Sequence, residues 1–125
     1  MSIQKPDDRW EDYSDVAYNL ARDRGDVTVT MFPVYPTLSC ALVQNRQVSS
    51  PAVQRALEHH DVVGLWADIW ATPGAMARFE SYGLKHTPKA VVCGPGLASC
   101  WTCNSCTPWQ LARMIEKARG GTEAI

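Results

Sequence analysis

The chain has 125 residues, 46% of them hydrophobic, which is enough for one domain with a sizeable core and leaves no room for a second of ordinary size. Twelve Lys and Arg against thirteen Asp and Glu give a net charge of −1 without a long basic run, so no nucleic-acid footprint is expected. The N-terminal stretch Met1 to Trp10 has no apolar core of a leader peptide and no run of about eighteen apolar residues occurs, so the expectation is a cytoplasmic protein without a membrane span.

Residues 1–13 are densely charged and weakly periodic and read as an N-terminal extension, with a domain over 14–121 and a short tail at 122–125. Ser14 is a cap residue, Asp15 suits a first helical turn and Gly25 is a stop signal, so a helix is expected over Asp15 to Arg24 with Val16, Leu20 and Ala21 as its apolar stripe. Val27 to Phe32 is rich in β-branched residues and reads as an interior strand. It runs through Pro33 and Pro36 into a helix expected from about Leu38 to Asn45, and Ser50-Pro51 then opens a further helix carrying Val53, Ala56, Leu57 and His60.

Val62 to Ala67 is a second strand, and Thr72-Pro73 opens a helix expected to turn Met76, Phe79 and Tyr82 inward before Gly83. After Thr87-Pro88, Ala90 to Cys93 and Leu97 to Thr102 read as a hairpin about the turn Gly94-Pro95-Gly96. Thr107-Pro108 caps a last helix with Leu111, Met114, Ile115 and Ala118 on one face. A parallel βαβ unit followed by a hairpin and a closing helix predicts an α/β fold: a four-stranded mixed sheet with helices on both faces.

Five cysteines, Cys40, Cys93, Cys100, Cys103 and Cys106, carry the chemical signal, and four of them fall between positions 93 and 106. Cys40 lies where a strand gives way to a helix start, the place in an open α/β sheet where ligands bind and where a helix N-terminus favours a thiolate. Cys100, Cys103 and Cys106 form two overlapping Cys-x-x-Cys units directly before the cap Thr107. Two chemistries use that spacing: a dithiol, with Cys106 at the positive end of a helix and Cys103 resolving it, or a zinc or iron–sulfur site, with Cys40 or Cys93 completing the ligand set. A straight strand would send Cys100 and Cys103 to opposite faces. Cys93, at the end of an apolar strand, reads as core packing.

The order of elements resembles the thioredoxin superfamily, and most of all the C-terminal thioredoxin-like domain of the thiol reductase DsbD. The patches that carry it are Ser49-Ser50-Pro51-Ala52-Val53-Gln54 with Ala56-Leu57, His60-Asp61-Val62-Val63 with Ala67-Asp68, the turn Gly94-Pro95-Gly96, and Thr87-Pro88 in the place of the family's cis-proline. The resemblance implies a thiol–disulfide protein whose partner chain is held at Thr37, Thr87 and Pro88. It also exposes three departures. Thr37-Leu38-Ser39-Cys40 stands where the family has Cys-x-x-Cys, Pro36 replaces the preceding tryptophan, and Met31 replaces the buried acid. An ordinary dithiol exchange at 37–40 is therefore not expected, since it needs an attacking thiolate and a second thiol.

Two function classes stay open beside the metal site. One is a redox protein in which Cys103 and Cys106, with or without Cys40, replace the usual pair and no cofactor is needed. The other is a redox-inactive module that binds a protein partner or serves as a subunit of an assembly.

Overall fold

The computed structural model of the chain describes residues 5, 7–33, 50–87, 89–103 and 107–120. Among these residues five strands and four α-helices follow one another: β1 (Trp10–Asp12), α1 (Asp15–Arg24), β2 (Val27–Phe32), α2 (Pro51–Leu57), β3 (Val62–Trp66), α3 (Ala75–Ser81), β4 (Lys89–Cys93), β5 (Cys100–Cys103) and α4 (Pro108–Gly120). The helix expected from Leu38 to Asn45 lies outside the described residues.

The strands form one sheet in the order β1-β3-β2-β4-β5. β2 is central, parallel to β3 from Val27 opposite Val62 to Met31 opposite Trp66, and antiparallel to β4 from Thr28 opposite Cys93 to Phe32 opposite Lys89. Flanked on both sides and covered on both faces, all six of its residues are buried, as its β-branched run leads one to expect. Alternation sends Val27, Val29 and Met31 to one face, where they join Val53, Leu57, Leu111 and Ile115 of α2 and α4. Phe32 turns to the other face with Tyr18 of α1 and Phe79 of α3.

Local signals set the element ends. Ser14 accepts a hydrogen bond from the Ala17 N–H at 3.0 Å, and Gly25 takes a left-handed φ of 75° that lets its N–H close the last turn of α1. Ser50 caps α2, with Pro51 at its first position. Thr107 and Gln110 form a reciprocal cap at the start of α4: the Gln110 N–H donates to Thr107 Oγ1 at 3.2 Å and the Thr107 N–H donates to Gln110 Oε1 at 2.8 Å.

Several expectations are corrected. The sheet has a fifth strand, because Trp10–Asp12, which the charge pattern assigns to an extension, pairs in parallel with Gly64–Trp66. Its hydrophobic anchor is Trp10, fully buried and edge-on to Trp66 at 5.6 Å. Gly64 is what admits that ring, since a Cβ there would stand 3.1 Å from Trp10 Cε3 and 3.2 Å from Leu57 Cδ2. In α1 the buried residues are Tyr18 and Ala21, whereas Val16 is 77% exposed and Leu20 is also exposed. α3 begins at Ala75, two residues beyond Pro73, and of its expected inward set Phe79 is buried while Met76 is exposed. His60 lies beyond the end of α2 and is exposed. The hairpin turn is longer than expected: Pro95–Leu97 is a 3-10 turn, Leu97 has a left-handed φ of 63°, and β5 starts only at Cys100.

Candidate functional site

The carboxyl ends of the parallel strands β2 and β3 meet at one edge of the sheet, locked by the Ala67 N–H donating to the Met31 carbonyl at 2.8 Å. β4 starts and β5 finishes at the same edge, so Cys103, the last residue of β5, stands opposite Ala90, and Ala90 stands opposite Met31. Cys103 is only 4% exposed and belongs to the core cluster that holds Met31, Ala90 and Leu111. Its sulfur is disulfide-bonded. Cys40, Cys106, Thr37 and Pro88 all lie outside the described residues.

Thr87, just before β4, is half-buried and lines a shallow groove of about 550 Å³ with Ile69, Trp70, Met76, Phe79 and His86. The groove lies on the sheet face that holds Phe79, opposite the face of Cys103, and has an exposed Trp70 on its wall. Met31 is buried and apolar where the resemblance places an acid. Asp68, two residues beyond β3, is the buried carboxylate at this edge among the described residues, and its Oδ1 accepts the Trp70 N–H at 3.0 Å.

The opposite edge carries a second sulfur pair. Cys93 and Cys100 face each other across β4 and β5 and are joined in a disulfide, with an S–S distance of 2.15 Å and a Cα–Cα distance of 4.0 Å. Cys93 is fully buried and Cys100 exposed. The sequence reading assigns Cys93 to packing and Cys100 to the downstream cluster; the structure ties them together instead. The longer turn is the cause, since the Gly94 N–H donates to the Ser99 carbonyl at 2.8 Å and thereby sets Cys93 opposite Cys100. A count outward from that Gly94–Ser99 pair would have found it.

β5 alternation also separates the members of the expected ligand set. Cys100 shares a face with Cys93, while Cys103, an odd number of positions on, turns to the other face. Among the described residues no group of three His, Cys, Asp or Glu side chains is placed to hold a metal ion.

Around Cys93 the second face is built from phenols. The Tyr82 hydroxyl lies 3.6 Å from Cys93 Sγ and in a short hydrogen bond with the Tyr18 hydroxyl. The Arg78 guanidinium sits 3.9 Å over the Tyr18 ring and donates from Nε to the Tyr13 hydroxyl at 3.0 Å, which in turn donates to Asp15 Oδ1 at 2.7 Å. Burial, and then the hydrogen bond to Tyr18, push the Tyr82 phenol well above the ordinary range, so it keeps its proton. These residues come from three distant parts of the sequence and carry no local signal.

No family model matches the sequence, and no curated protein matches it by sequence. Solved structures do match in three dimensions, and they define a thioredoxin-like α/β fold with a mixed sheet flanked by helices. A thioredoxin from Thermus thermophilus superposes with a TM-score of 0.64 at 21% identity, covering 87% of this chain and 85% of that one. Trxlp from Edwardsiella tarda gives 0.63 at 15% identity over 85% and 97%, and thioredoxin O2 from Arabidopsis thaliana in its oxidized state gives 0.60 at 16% over 87% and 93%.

Proposed function

We propose that the chain is a thiol–disulfide exchange protein whose working sulfur is Cys103, paired with Cys106 or Cys40 in place of the usual Cys-x-x-Cys. The observation that carries this reading is the disulfide at Cys103, at the carboxyl edge of the parallel strands, the end of the sheet at which Thr87 precedes β4. A thioredoxin-like fold supports it as a scaffold, not as a proof of activity. In the exchange, a partner thiolate attacks one sulfur of the Cys103 disulfide and forms a mixed disulfide. The partner's second thiol then displaces the chain's sulfur, leaving the partner oxidised and this chain with two thiols, two electrons and two protons having moved; run in reverse from the dithiol form, the same two steps reduce a partner disulfide such as insulin's. The groove along Ile69, Trp70 and Thr87 receives the partner chain, together with Thr37 and Pro88, in the manner that the resemblance to DsbD-type reductase domains implies. No helix among the described residues is long and apolar enough to cross a membrane. The second disulfide, Cys93–Cys100, favours an oxidising compartment over the cytoplasmic one expected from composition.

The test is native mass measurement of anaerobically purified protein followed by thiol-alkylation mapping, with insulin reduction as the turnover assay. A reversible Cys103–Cys106 or Cys40–Cys103 bond without bound metal, and turnover abolished in Cys103→Ser and in one of Cys106→Ser or Cys40→Ser, is the expected result. Turnover that survives Cys103→Ser overturns it. The groove, with its exposed Trp70 and with Glu80 and Lys85 also on its wall, favours, as a second reading, a redox-inactive docking module. Inert thiols and stoichiometric co-purification with another chain would establish that reading instead. Zinc or iron in the native mass would establish the metal site.

A further inference from the structure

The Cys93–Cys100 pair is built asymmetrically. Cys100 is exposed on β5, and among the described residues no strand pairs with the outer edge of β5, where an extended partner chain has backbone groups to meet. Cys93 is fully buried, yet its sulfur is not in apolar surroundings alone, for the Tyr82 hydroxyl stands 3.6 Å away. Thr28 is opposite Cys93 in the β2–β4 ladder and therefore shares its face. It too is fully buried, and its Oγ1 has no hydrogen-bond partner among the described residues. Thr30 Oγ1 on the same face is likewise without a partner among the described residues, so what is particular to Thr28 is its place opposite Cys93.

We propose that Cys93 and Cys100 form a second exchange centre, independent of Cys103, in which a dithiol partner attacks the exposed Cys100 sulfur and Cys93 is the buried leaving group. The partner's thiolate forms a bond to Cys100 Sγ and the Cys93–Cys100 bond breaks, its electron pair leaving on Cys93 Sγ. Burial alone would penalise that thiolate and slow its departure. Here the Tyr82 O–H turns to donate to it while the Tyr18 O–H donates to the Tyr82 oxygen, the Tyr18 ring lying under the Arg78 cation. The Thr28 hydroxyl supplies a second donor when it rotates toward the anion. The partner's second thiol then attacks its own sulfur in the mixed disulfide, releasing Cys100 as a thiolate. The partner ends as a disulfide, and its two protons end on Cys93 and Cys100.

The experiment uses the full chain, dithiothreitol as the dithiol, timed acid quench and alkylation mapping that scores each cysteine separately. In the wild type the Cys93–Cys100 bond opens while the near-ultraviolet circular dichroism stays native. In Tyr82→Phe, which keeps the ring against Phe32, opening of Cys93–Cys100 slows about tenfold, the loss of one hydrogen bond to a charged sulfur, while reduction at Cys103 keeps its wild-type rate. Thr28→Val slows the same step in the same selective way. With glutathione as a monothiol, the mixed disulfide forms on Cys100. Opening only at the rate of global unfolding, an unchanged rate in both variants, or a glutathione adduct on Cys93 overturns the proposal. Because Cys103 is scored in the same sample, failure of this centre and failure of the proposed function are read apart.

Discussion

Replacing Cys100 with serine removes the cross-strand bond without touching the buried half of the pair, since Cys100 is exposed and the small Cys93 thiol left behind keeps its packing and its Tyr82 hydroxyl neighbour. The bond joins residues seven positions apart, so it closes a loop of eight residues, and the loop-closure entropy it removes from the unfolded chain amounts to roughly 2.5 kcal/mol. Spread over the unfolding entropy of a chain of this size, that loss lowers the melting temperature by about 10 °C. The assay is urea unfolding of Cys100→Ser against wild type, followed by far-ultraviolet circular dichroism without reductant, so that the disulfide at Cys103 is the same in both proteins. The expected shift is in the midpoint. A small rise in the slope is also expected, because the uncrosslinked unfolded chain exposes more surface. A loss below about 1 kcal/mol would refute the entropic reasoning, because it would mean that the turn at Pro95–Leu97 and the Gly94–Ser99 hydrogen bond already hold the hairpin closed in the unfolded ensemble.

Two further outcomes follow from the packing and the surface charges. Trp10→Ala empties the space of a fully buried indole and is expected to destabilise by about 3 kcal/mol. That is the low end for such a truncation, because Trp10 Nε1 has no hydrogen-bond partner among the described residues and its burial already carries a penalty. Urea unfolding measures it, and a loss below about 1 kcal/mol would return β1 to the status of an extension. Asp61 is held below the ordinary carboxylate value first by the hydrogen bond that Arg119 Nε donates at 2.8 Å. A depressed folded-state value contributes stability that is fully present above the unfolded value near pH ~4 and is lost as pH falls through the folded value. Asp61→Asn is therefore expected to lower stability slightly at pH 7 and to converge on wild type in acid; a difference that persists unchanged at pH 3 would show that the carboxylate charge is not what matters.

Much of the fold was legible because its signals are local. The Ser14 and Ser50 caps, Pro51 and Pro108 at first helical positions, Gly25 after α1 and the β-branched run Val27–Phe32 each act within a few residues, and each stands where the sequence places it. The same locality explains the misses. The charged residues around Trp10 disguise a strand whose partner, β3, lies more than fifty positions away, and a helical stripe through Val16 gives no hint that Tyr18 is the residue drawn into the core.

For the candidate site the division falls in the same place. The sequence by itself determines that five thiols are present, that 37–40 lacks the pair an ordinary exchange motif needs, and that Thr107-Pro108 starts a helix directly after the cysteine cluster. Only the tertiary structure decides which sulfurs meet, because a disulfide needs a separation of a few ångströms and that separation depends on strand register. One residue of register, set by the Gly94–Ser99 hydrogen bond, joins Cys93 to Cys100 and turns Cys103 to the other face. The phenol cluster from Tyr13, Tyr18 and Tyr82 around Arg78 likewise exists only once α1, α3 and β4 are packed on one face, which brings together hydroxyls that the chain keeps far apart.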